Sequence, residues 1–382
     1  MGFCSAKGCL CLLQPRVPRS DTIAWSDLPF LTRNILLKIS DYLIGPQHPP
    51  FVIAEVAQSH EGSLGQAMAF IEVAATCGVQ AIKFQTHIAA QESTPQEPWR
   101  VPFSQQDVSR YAYWQRMEFT FDQWRLLKEH AERHGLVFLS SPFSIRACEW
   151  LDALGMVAWK IASGEAHNPE ILDWVGRTGK PILLSGGLSS HESLLNLAFR
   201  LKQDAPVALL HCTSRYPTPP EEVGLNQFEA LRDAATGFPV GLSDHSASCV
   251  PGVVATYLGA SLIEVHLTLH ERMFGPDVVA SLTPEGLKSL VEGIRFAWTM
   301  RQMPVVKSVQ LENLGFDPAI FGRSWVAACD LPQGHSLTRS DLAYKKPGGG
   351  LGYEQLERLL GRTLRYPVAR DHGLQWMDFD DC

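Results

Sequence analysis

Between residues 51 and 303 the sequence repeats one pattern, and this repeat constrains the fold more than any other feature. Each unit has a short aliphatic or β-branched run, a polar residue, and then a stretch whose apolar residues recur every three or four positions. Such runs, alternating with amphipathic helices, are typical of parallel strands covered by helices. There are eight runs: residues 51–55, 81–85, 136–141, 157–161, 181–185, 207–211, 239–243 and 262–266.

Eight strand–helix units over about 250 residues match the size of a closed (β/α)8 barrel. The structural alternative is an open, doubly wound sheet, whose dinucleotide-binding members carry a GxGxxG turn after the first strand. Residues 55–62 read EVAQSHEG instead. The repeat therefore predicts an α/β fold with a (β/α)8 TIM barrel over residues 35–302.

After residue 303 the pattern changes, and the rest of the chain predicts a second, small domain made of short strands and turns. Three consecutive glycines after Pro347 are incompatible with a helix or a central strand. We predict a loosely ordered N-terminal extension over residues 1–34, a linker over 303–322 and a small domain over 323–382. A domain of about 60 residues has a thin core, so docking against a barrel or a partner subunit would stabilise it.

The composition excludes several classes of partner. The formal net charge of -7 provides no basic surface for nucleic acid. No apolar run approaches the roughly 20 residues that span a bilayer. The nine cysteines are an odd number and most lie far apart, unlike a disulfide framework, which favours a reducing compartment and a cytoplasmic protein.

Polar residues follow the predicted strands at the ends where barrel enzymes place their reacting groups. We therefore expect these side chains to face one pocket. In chain order they are Glu55, Lys83, Gln85, Ser140, Ser141, Lys160, Ser163, Glu165, Ser185, His211, Thr213, Ser214, Ser243, Asp244, His245, Glu264 and His266.

Two lysines among these residues, Lys83 and Lys160, lie in a context rich in hydroxyl groups. Ammonium groups with short hydroxyl donors suit phosphate and carboxylate oxygens, so the pattern predicts an anionic substrate. Two alternatives stay open. One lysine could form a Schiff base with a carbonyl substrate, or a lysine could pair structurally with Glu55 or Glu165.

Two histidines, His245 and His266, close successive strands, so their imidazoles can converge on a divalent metal that keeps positions open for substrate. Without a cysteine ligand, and with Asp244 and Glu55 nearby, mixed nitrogen and oxygen ligation suits manganese, iron, cobalt or zinc alike. A purely structural role for either histidine is the alternative.

At the strand ends the sequence resembles the N-acetylneuraminate (sialic acid) synthase family, and its tail resembles the antifreeze-like SAF domain of that family. The motifs occur in the family's order between about residues 35 and 378. They are FVIAEVAQSHEGS, IKFQTHI, FLSSPFS, WKIASGE, LLSGGL, LLHCTSRYPTP, VGLSDHS, EVHLTL and GPD.

The resemblance implies condensation of phosphoenolpyruvate with an N-acetylated aldose, such as N-acetylmannosamine, and water to give a nine-carbon 2-keto sugar acid and phosphate. It implies that Glu55, Glu165, Lys83 and Lys160 are catalytic, and that His245 and His266 hold a divalent metal, manganese or magnesium. It assigns phosphoenolpyruvate binding to Lys83, Ser141, Lys160, Ser163, Ser185, Ser214 and Ser243, and sugar binding to Gln85, Glu165, Tyr216, Asp277 and Lys346. It also implies a domain-swapped homodimer in which the SAF domain covers the partner's barrel.

Three positions depart from the family pattern. Ser59 and Ser214 stand where asparagine is common, and Lys346 stands where the SAF domain has arginine. Because lysine lacks the planar fork of arginine, recognition of the acyl substituent can differ. Alternative functions are the same reaction on a 2,4-diacetamido-trideoxyhexose, leading to legionaminic or pseudaminic acid, and a non-catalytic carbohydrate-binding pseudoenzyme.

Overall fold

In the computed structural model the described residues are 36–307, 310 and 315–380. The chain divides after Gln302 into two compact units. The N-terminal extension predicted for residues 1–34 lies outside the described residues. No helix in the described ranges is both long and apolar enough to cross a membrane.

The strands of the first unit begin with a short hairpin and continue with the eight strands of the repeat. The hairpin consists of β1 (Leu37–Ile39) and β2 (Tyr42–Ile44). The repeat provides β3 (Phe51–Glu55), β4 (Ala81–Thr86), β5 (Val137–Pro142), β6 (Trp159–Ile161), β7 (Ile182–Ser185), β8 (Val207–Cys212), β9 (Val240–Asp244) and β10 (Leu262–Leu267). A two-residue strand, β11 (Ser281–Leu282), pairs with the end of β10.

The eight strands of the repeat are parallel and run in the order β5-β4-β3-β10-β9-β8-β7-β6. The first strand of the repeat, β3, pairs with both β4 and the last strand, β10. Pairing of the first strand with the last bends the sheet into a barrel, so the predicted (β/α)8 fold is confirmed. Several strands begin one or two residues later than predicted.

Helices follow the strands, most of them on the outside of the barrel. They are α1 (Leu64–Cys77), α2 (Ala89–Glu92), α3 (Arg110–Met117), α4 (Phe121–Arg133), α5 (Ile145–Ala153), α6 (Pro169–Arg177), α7 (His191–Leu201), α8 (Leu225–Ala234), α9 (Val250–Leu258) and α10 (Pro284–Gln302). Polar N-caps set many of their starts. At α4 the Thr120 hydroxyl accepts a hydrogen bond from the Gln123 amide, and the Gln123 side-chain oxygen accepts one from the Thr120 amide.

Side chains alternate between the outer and inner faces of each barrel strand, and the inner face changes character along its length. On β10, Ile263 and Val265 pack outward under the helices, whereas Leu262 packs inward with the apolar hairpin residues Leu37 and Ile39. The hairpin thereby fills the N-terminal half of the barrel with apolar side chains. The polar residues predicted for the site lie beyond this layer, toward the carboxyl ends of the strands.

The second unit is a small β-rich domain. Its antiparallel strands are β12 (Ser324–Ala327) and β13 (Leu342–Lys345), and a short helix covers Leu356–Leu359. Trp325 is fully buried in its apolar core. Asp378, 2% exposed, accepts hydrogen bonds from the Tyr366 hydroxyl and the Gln375 amide, which fixes the last turn of the domain.

Candidate active site

Two lysines and two glutamates form an ion-pair cluster inside the barrel, which we call the buried quartet: Glu55, Lys83, Lys160 and Glu264. The Lys83 Nζ atom lies 2.6 Å from Glu55 Oε2 and 3.8 Å from Glu264 Oε1. The Lys160 Nζ atom lies 3.4 Å from the same Glu264 oxygen. None of the four residues is more than 4% exposed. Glu264 therefore holds both lysines at one place.

Attraction between opposite charges in the quartet outweighs the effect of burial on the pKa of Glu264 and Lys83, but burial dominates for Glu55, whose pKa it raises, and for Lys160. Burial opposes ionisation of Glu264, but Lys160 and Lys83 together lower the pKa of this carboxyl to about 2. Burial also works against the Lys83 ammonium, yet Glu264 and Glu55 raise its pKa. Burial lowers the pKa of Lys160, whose ion-pair partner in the quartet is Glu264. Sequence reasoning placed Glu264 at a strand end without a role, although it is separated by one residue from His266 and so shares its inward face.

Three of the serines predicted to bind phosphoenolpyruvate contact the buried quartet. The Lys83 ammonium donates to Ser141 Oγ at 3.4 Å, and the Lys160 ammonium donates to Ser185 Oγ at 2.7 Å. The Ser243 hydroxyl donates to Glu264 Oε1 at 3.0 Å. Lysines and hydroxyls thus lie within reach of one another, as binding of phosphate and carboxylate oxygens requires.

The remaining two serines of that prediction, Ser163 and Ser214, meet around Gly187, just beyond β7. The Gly187 amide donates to Ser163 Oγ at 3.1 Å. A Cβ atom at Gly187 would lie 2.5 Å from Ser214 Oγ, 2.7 Å from Cys212 Sγ and 2.9 Å from Ser163 Oγ. Only a glycine leaves room for this arrangement of polar groups.

Gly187→Ala is therefore expected to displace Ser163 and Ser214 and to weaken phosphoenolpyruvate binding. A loss of about 1–3 kcal/mol in binding free energy corresponds to a rise of about 5- to 150-fold in KM for phosphoenolpyruvate. KM for phosphoenolpyruvate is measured by the steady-state kinetics of phosphate release. Gly65→Ala is the control, because a Cβ there meets nothing within 4 Å. Equal KM values for the two variants would contradict the role of this turn.

His245 and His266 lie side by side at the ends of β9 and β10, with ring centres 5.3 Å apart. The His245 Nδ1–H group donates to the Thr213 carbonyl at 2.8 Å, which leaves Nε2 with its lone pair, 3.0 Å from the Tyr216 hydroxyl. Burial lowers the pKa of His245 to about 4 and that of His266 well below its usual value, so both rings are neutral near pH 7.

Neutral imidazoles oriented by a carbonyl are suited to metal ligation. The His266 Nδ1 atom is buried and has no hydrogen-bond partner among the described residues. The pair therefore fits a divalent metal. In the described ranges the two histidines belong to no group of three ligand atoms that lie within 4.8 Å of one another, so two protein ligands would leave several positions for substrate and water.

A group of three ligand atoms within 4.8 Å of one another occurs elsewhere, on the outer helices α1 and α4: Glu72, His130 and His134. The Arg133 guanidinium lies 3.1 Å from His130 Nδ1 and can only donate, so His130 Nε2 carries the proton and donates to Glu72 Oε1 at 3.1 Å. A hydrogen-bond network accounts for this group without an ion.

A cavity of about 220 Å³ adjoins His266, the second of the two histidines. Three residues of the predicted sugar site, Gln85, Tyr216 and Asp277, line it, and burial raises the pKa of Asp277 to about 6. The other lining residues are Gln58, Trp99, Arg100, Val101, Phe103, Arg110, Tyr113, Trp114, His266 and Pro276. The segment between β4 and α4 contains α2 and α3 and supplies most of the aromatic lining residues, the aromatic wall of the cavity.

Two other predicted residues lie outside this cavity lining. Glu165 is half-buried in a turn of 3-10 helix, where its Oε2 atom accepts from Asn168 Nδ2 at 2.8 Å. Burial raises its pKa. Lys346 belongs to the second unit, where its Nζ atom lies 5.8 Å from the centre of the Phe321 ring. Their roles stay predictions.

The fold and the site define an enzyme of the (β/α)8 class with a charged interior and a polar cavity. Comparison with known families agrees with this. The NeuB family model matches residues 70–304, and the SAF domain model matches residues 322–380. The chain belongs to the NeuB family and is one of its synthases, with a C-terminal SAF domain.

Relatives cover nearly the whole length. An N,N'-diacetyllegionaminic acid synthase of Campylobacter jejuni is 32% identical, and the match covers 84% of this chain and 97% of that protein. The N-acetylneuraminate-9-phosphate synthase of Homo sapiens is 30% identical, covering 86% of this chain and 92% of the human protein. The crystal structure of an N-acetylneuraminic acid synthetase from Leptospira borgpetersenii, in complex with citrate, has 27% identity and a TM-score of 0.64, and covers 73% of this chain and 95% of its own.

Proposed function

We propose that this enzyme condenses phosphoenolpyruvate with an N-acetylated amino-sugar aldose and water, and releases a nine-carbon 2-keto sugar acid and phosphate. One observation carries the proposal: the buried quartet and its serines lie directly beneath two neutral histidines and a cavity of sugar size. An anion site and a polyol site therefore share one end of the barrel. Membership of the NeuB family supports the same reaction.

In the proposed reaction C3 of phosphoenolpyruvate forms a bond to the aldehyde carbon, and positive charge develops at C2. Glu55 lies at the quartet, where its carboxylate stabilises that charge. The former aldehyde oxygen takes up a proton and becomes a hydroxyl. Water then adds at C2, and the C2 hydroxyl passes its proton to the departing phosphate as the carbon–oxygen bond to phosphate breaks, which leaves the ketone. A carboxylate, Glu55 or Glu165, accepts the proton of the attacking water.

Binding follows from the same residues. Lys83 and Lys160, with the serines at 141, 163, 185, 214 and 243, hold the phosphate and carboxylate groups. His245 and His266 would hold manganese or magnesium, which when bound would polarise the aldehyde oxygen of the open-chain sugar. Gln85, Tyr216 and Asp277 bind the sugar hydroxyls.

Three further features belong to this proposal. We infer a cytoplasmic enzyme and the domain division over residues 1–34, 35–302, 303–322 and 323–382. We also infer a domain-swapped homodimer in which Lys346 reaches the sugar bound by the partner subunit. The small second unit, with its thin core, supports a role that depends on docking.

A panel of aldoses, incubated with phosphoenolpyruvate and manganese, tests the function. We expect phosphate release only when N-acetylmannosamine, its 6-phosphate or a 2,4-diacetamido-trideoxyhexose is present, with the keto acid identified by its mass. The diacetamido sugar is the second candidate, because the aromatic wall suits its additional acetyl and methyl groups. Turnover without any aldose would overturn the proposal, and trapping of a pyruvyl adduct on Lys160 by borohydride would favour Schiff-base chemistry.

A further inference from the structure

Besides His266 Nδ1, two polar side-chain atoms at the cavity have no hydrogen-bond partner among the described residues: Gln58 Oε1 and Tyr113 Oη. Both side chains line the cavity, and Gln58 and Tyr113 are only 3% and 2% exposed. Buried polar atoms are nearly always paired, because an unpaired one loses its hydration without compensation. Two of them at one cavity indicate a ligand that supplies the missing partners.

The orientation of the Gln58 amide follows from the chain of hydrogen bonds behind it. The Glu55 carboxylate, paired with Lys83, can only accept, so Gln85 must turn its Nε2 group toward it, at 2.9 Å. The Gln85 Oε1 atom then faces Gln58 and accepts from Gln58 Nε2 at 2.9 Å. The carboxylate thus fixes both amides. The unpaired atom of Gln58 is therefore the acceptor Oε1, which requires an N–H or O–H donor.

The Tyr113 ring is held on several sides. The Phe103 ring packs edge-on at 5.0 Å, and the Arg116 guanidinium lies 5.3 Å from the ring centre. Arg116 in turn forms ion pairs with Asp107 and Glu61. Burial, together with the negative charge of Asp277, keeps the pKa of the Tyr113 phenol above its usual range, so the group remains a neutral hydroxyl. A hydroxyl in this state can both donate and accept.

We propose that Gln58 and Tyr113 bind the acceptor sugar and determine which polar substituents it carries, in addition to Gln85, Tyr216 and Asp277. Gln58 Oε1 accepts from an N–H or O–H group of the sugar, and the Tyr113 hydroxyl bonds to an oxygen near Asp277. This inference rests on the proposed function, because it names the acceptor contacts of the same site. It predicts discrimination against analogues that lack the donor.

Tyr113→Phe tests the proposal, since it removes one oxygen and keeps the ring. We expect KM for the aldose to rise about 5- to 150-fold, with kcat and KM for phosphoenolpyruvate unchanged. Tyr111→Phe, on the same helix but outside the cavity lining, is the matched control and should leave all three values unchanged. Gln58→Met, which keeps the length of the side chain, should likewise raise KM for the aldose.

Analogues of the aldose, each lacking one hydroxyl or the acetamido N–H, identify the group that is bound. For one analogue, wild type and Tyr113→Phe should give equal KM values, since the bond is already absent. Unchanged KM of Tyr113→Phe for every aldose, or a rise equal to that of Tyr111→Phe, would overturn the proposal.

Calorimetry of aldose binding to the metal-loaded enzyme separates this inference from the proposed reaction. If wild type binds the aldose more tightly than Tyr113→Phe does but releases no phosphate, the proposed sugar contact is supported and the proposed reaction is contradicted. If wild type and Tyr113→Phe bind the aldose equally, the proposed sugar contact of Tyr113 is contradicted, whether or not phosphate is released.

Discussion

Lys83→Met is expected to lower phosphate release from phosphoenolpyruvate by about 100- to 1,000-fold and the free energy of unfolding by about 3–5 kcal/mol. Both losses have one cause. Lys83 is the only residue of the quartet that touches both carboxylates, so its removal leaves Glu55 without an ion-pair partner and gives the barrel interior an excess negative charge. That charge repels an anionic substrate. Coupled phosphate assays and urea unfolding measure the two effects.

Lys180→Met provides the matched control for that experiment. Lys180 also pairs with a carboxylate, at 2.5 Å from Asp152, but its side chain is 28% exposed and that of Asp152 is 42% exposed. A pair of this kind contributes about 1 kcal/mol or less, and activity should not change. If Lys83→Met kept wild-type activity while still losing stability, Lys83 would be structural only.

Replacing either His245 or His266 with alanine is expected to reduce metal-dependent turnover by at least about 100-fold, because changes even to groups behind a metal ligand cost 10- to 100-fold in affinity. The measurement is a manganese titration of activity after treatment with a chelator, together with manganese binding followed by electron paramagnetic resonance. Excess manganese should restore little of the loss.

The control for the two histidines is His130→Ala, which removes the central residue of the surface group with Glu72 and His134. Its activity and its manganese dependence should match those of wild type. Chelator-resistant activity in wild type, or equal loss in all three variants, would rule out the pair at the strand ends as the metal site.

The fold could be predicted from the sequence because barrel strands leave a strong signal. In β4 and β10 the outward residues are apolar while Lys83, Gln85, Glu264 and His266 occupy alternate, inward positions. Side chains alternate between the two faces of a strand, and barrel enzymes place their reacting groups at the carboxyl ends of the strands. Together these two rules predict that the charged residues lie close together. These rules predict where the charged side chains lie, but not which of them form ion pairs, because ion pairing depends on the register between neighbouring strands.

The role of Glu264 illustrates that limit. Its register opposite Ser243 on β9 brings it to Lys160, which lies on a strand distant in the chain. No pattern within a short stretch of sequence can predict the ion pair between Lys160 and Glu264. The aromatic wall shows the same limit, because no pattern in the sequence distinguishes Tyr111 from Tyr113 and Trp114. The turn of α3 alone decides that Tyr113 and Trp114, but not Tyr111, line the cavity.

The apolar hairpin that fills the N-terminal half of the barrel limits how substrates and products can enter and leave the enzyme. With that end filled, the carboxyl-end mouth is the route by which both substrates and both products pass. The quartet lies one layer deeper than Gln85 and His266, so a bound aldose would stand between phosphoenolpyruvate and solvent. If the proposed function holds, we expect phosphoenolpyruvate to bind before the aldose and phosphate to leave after the sugar acid.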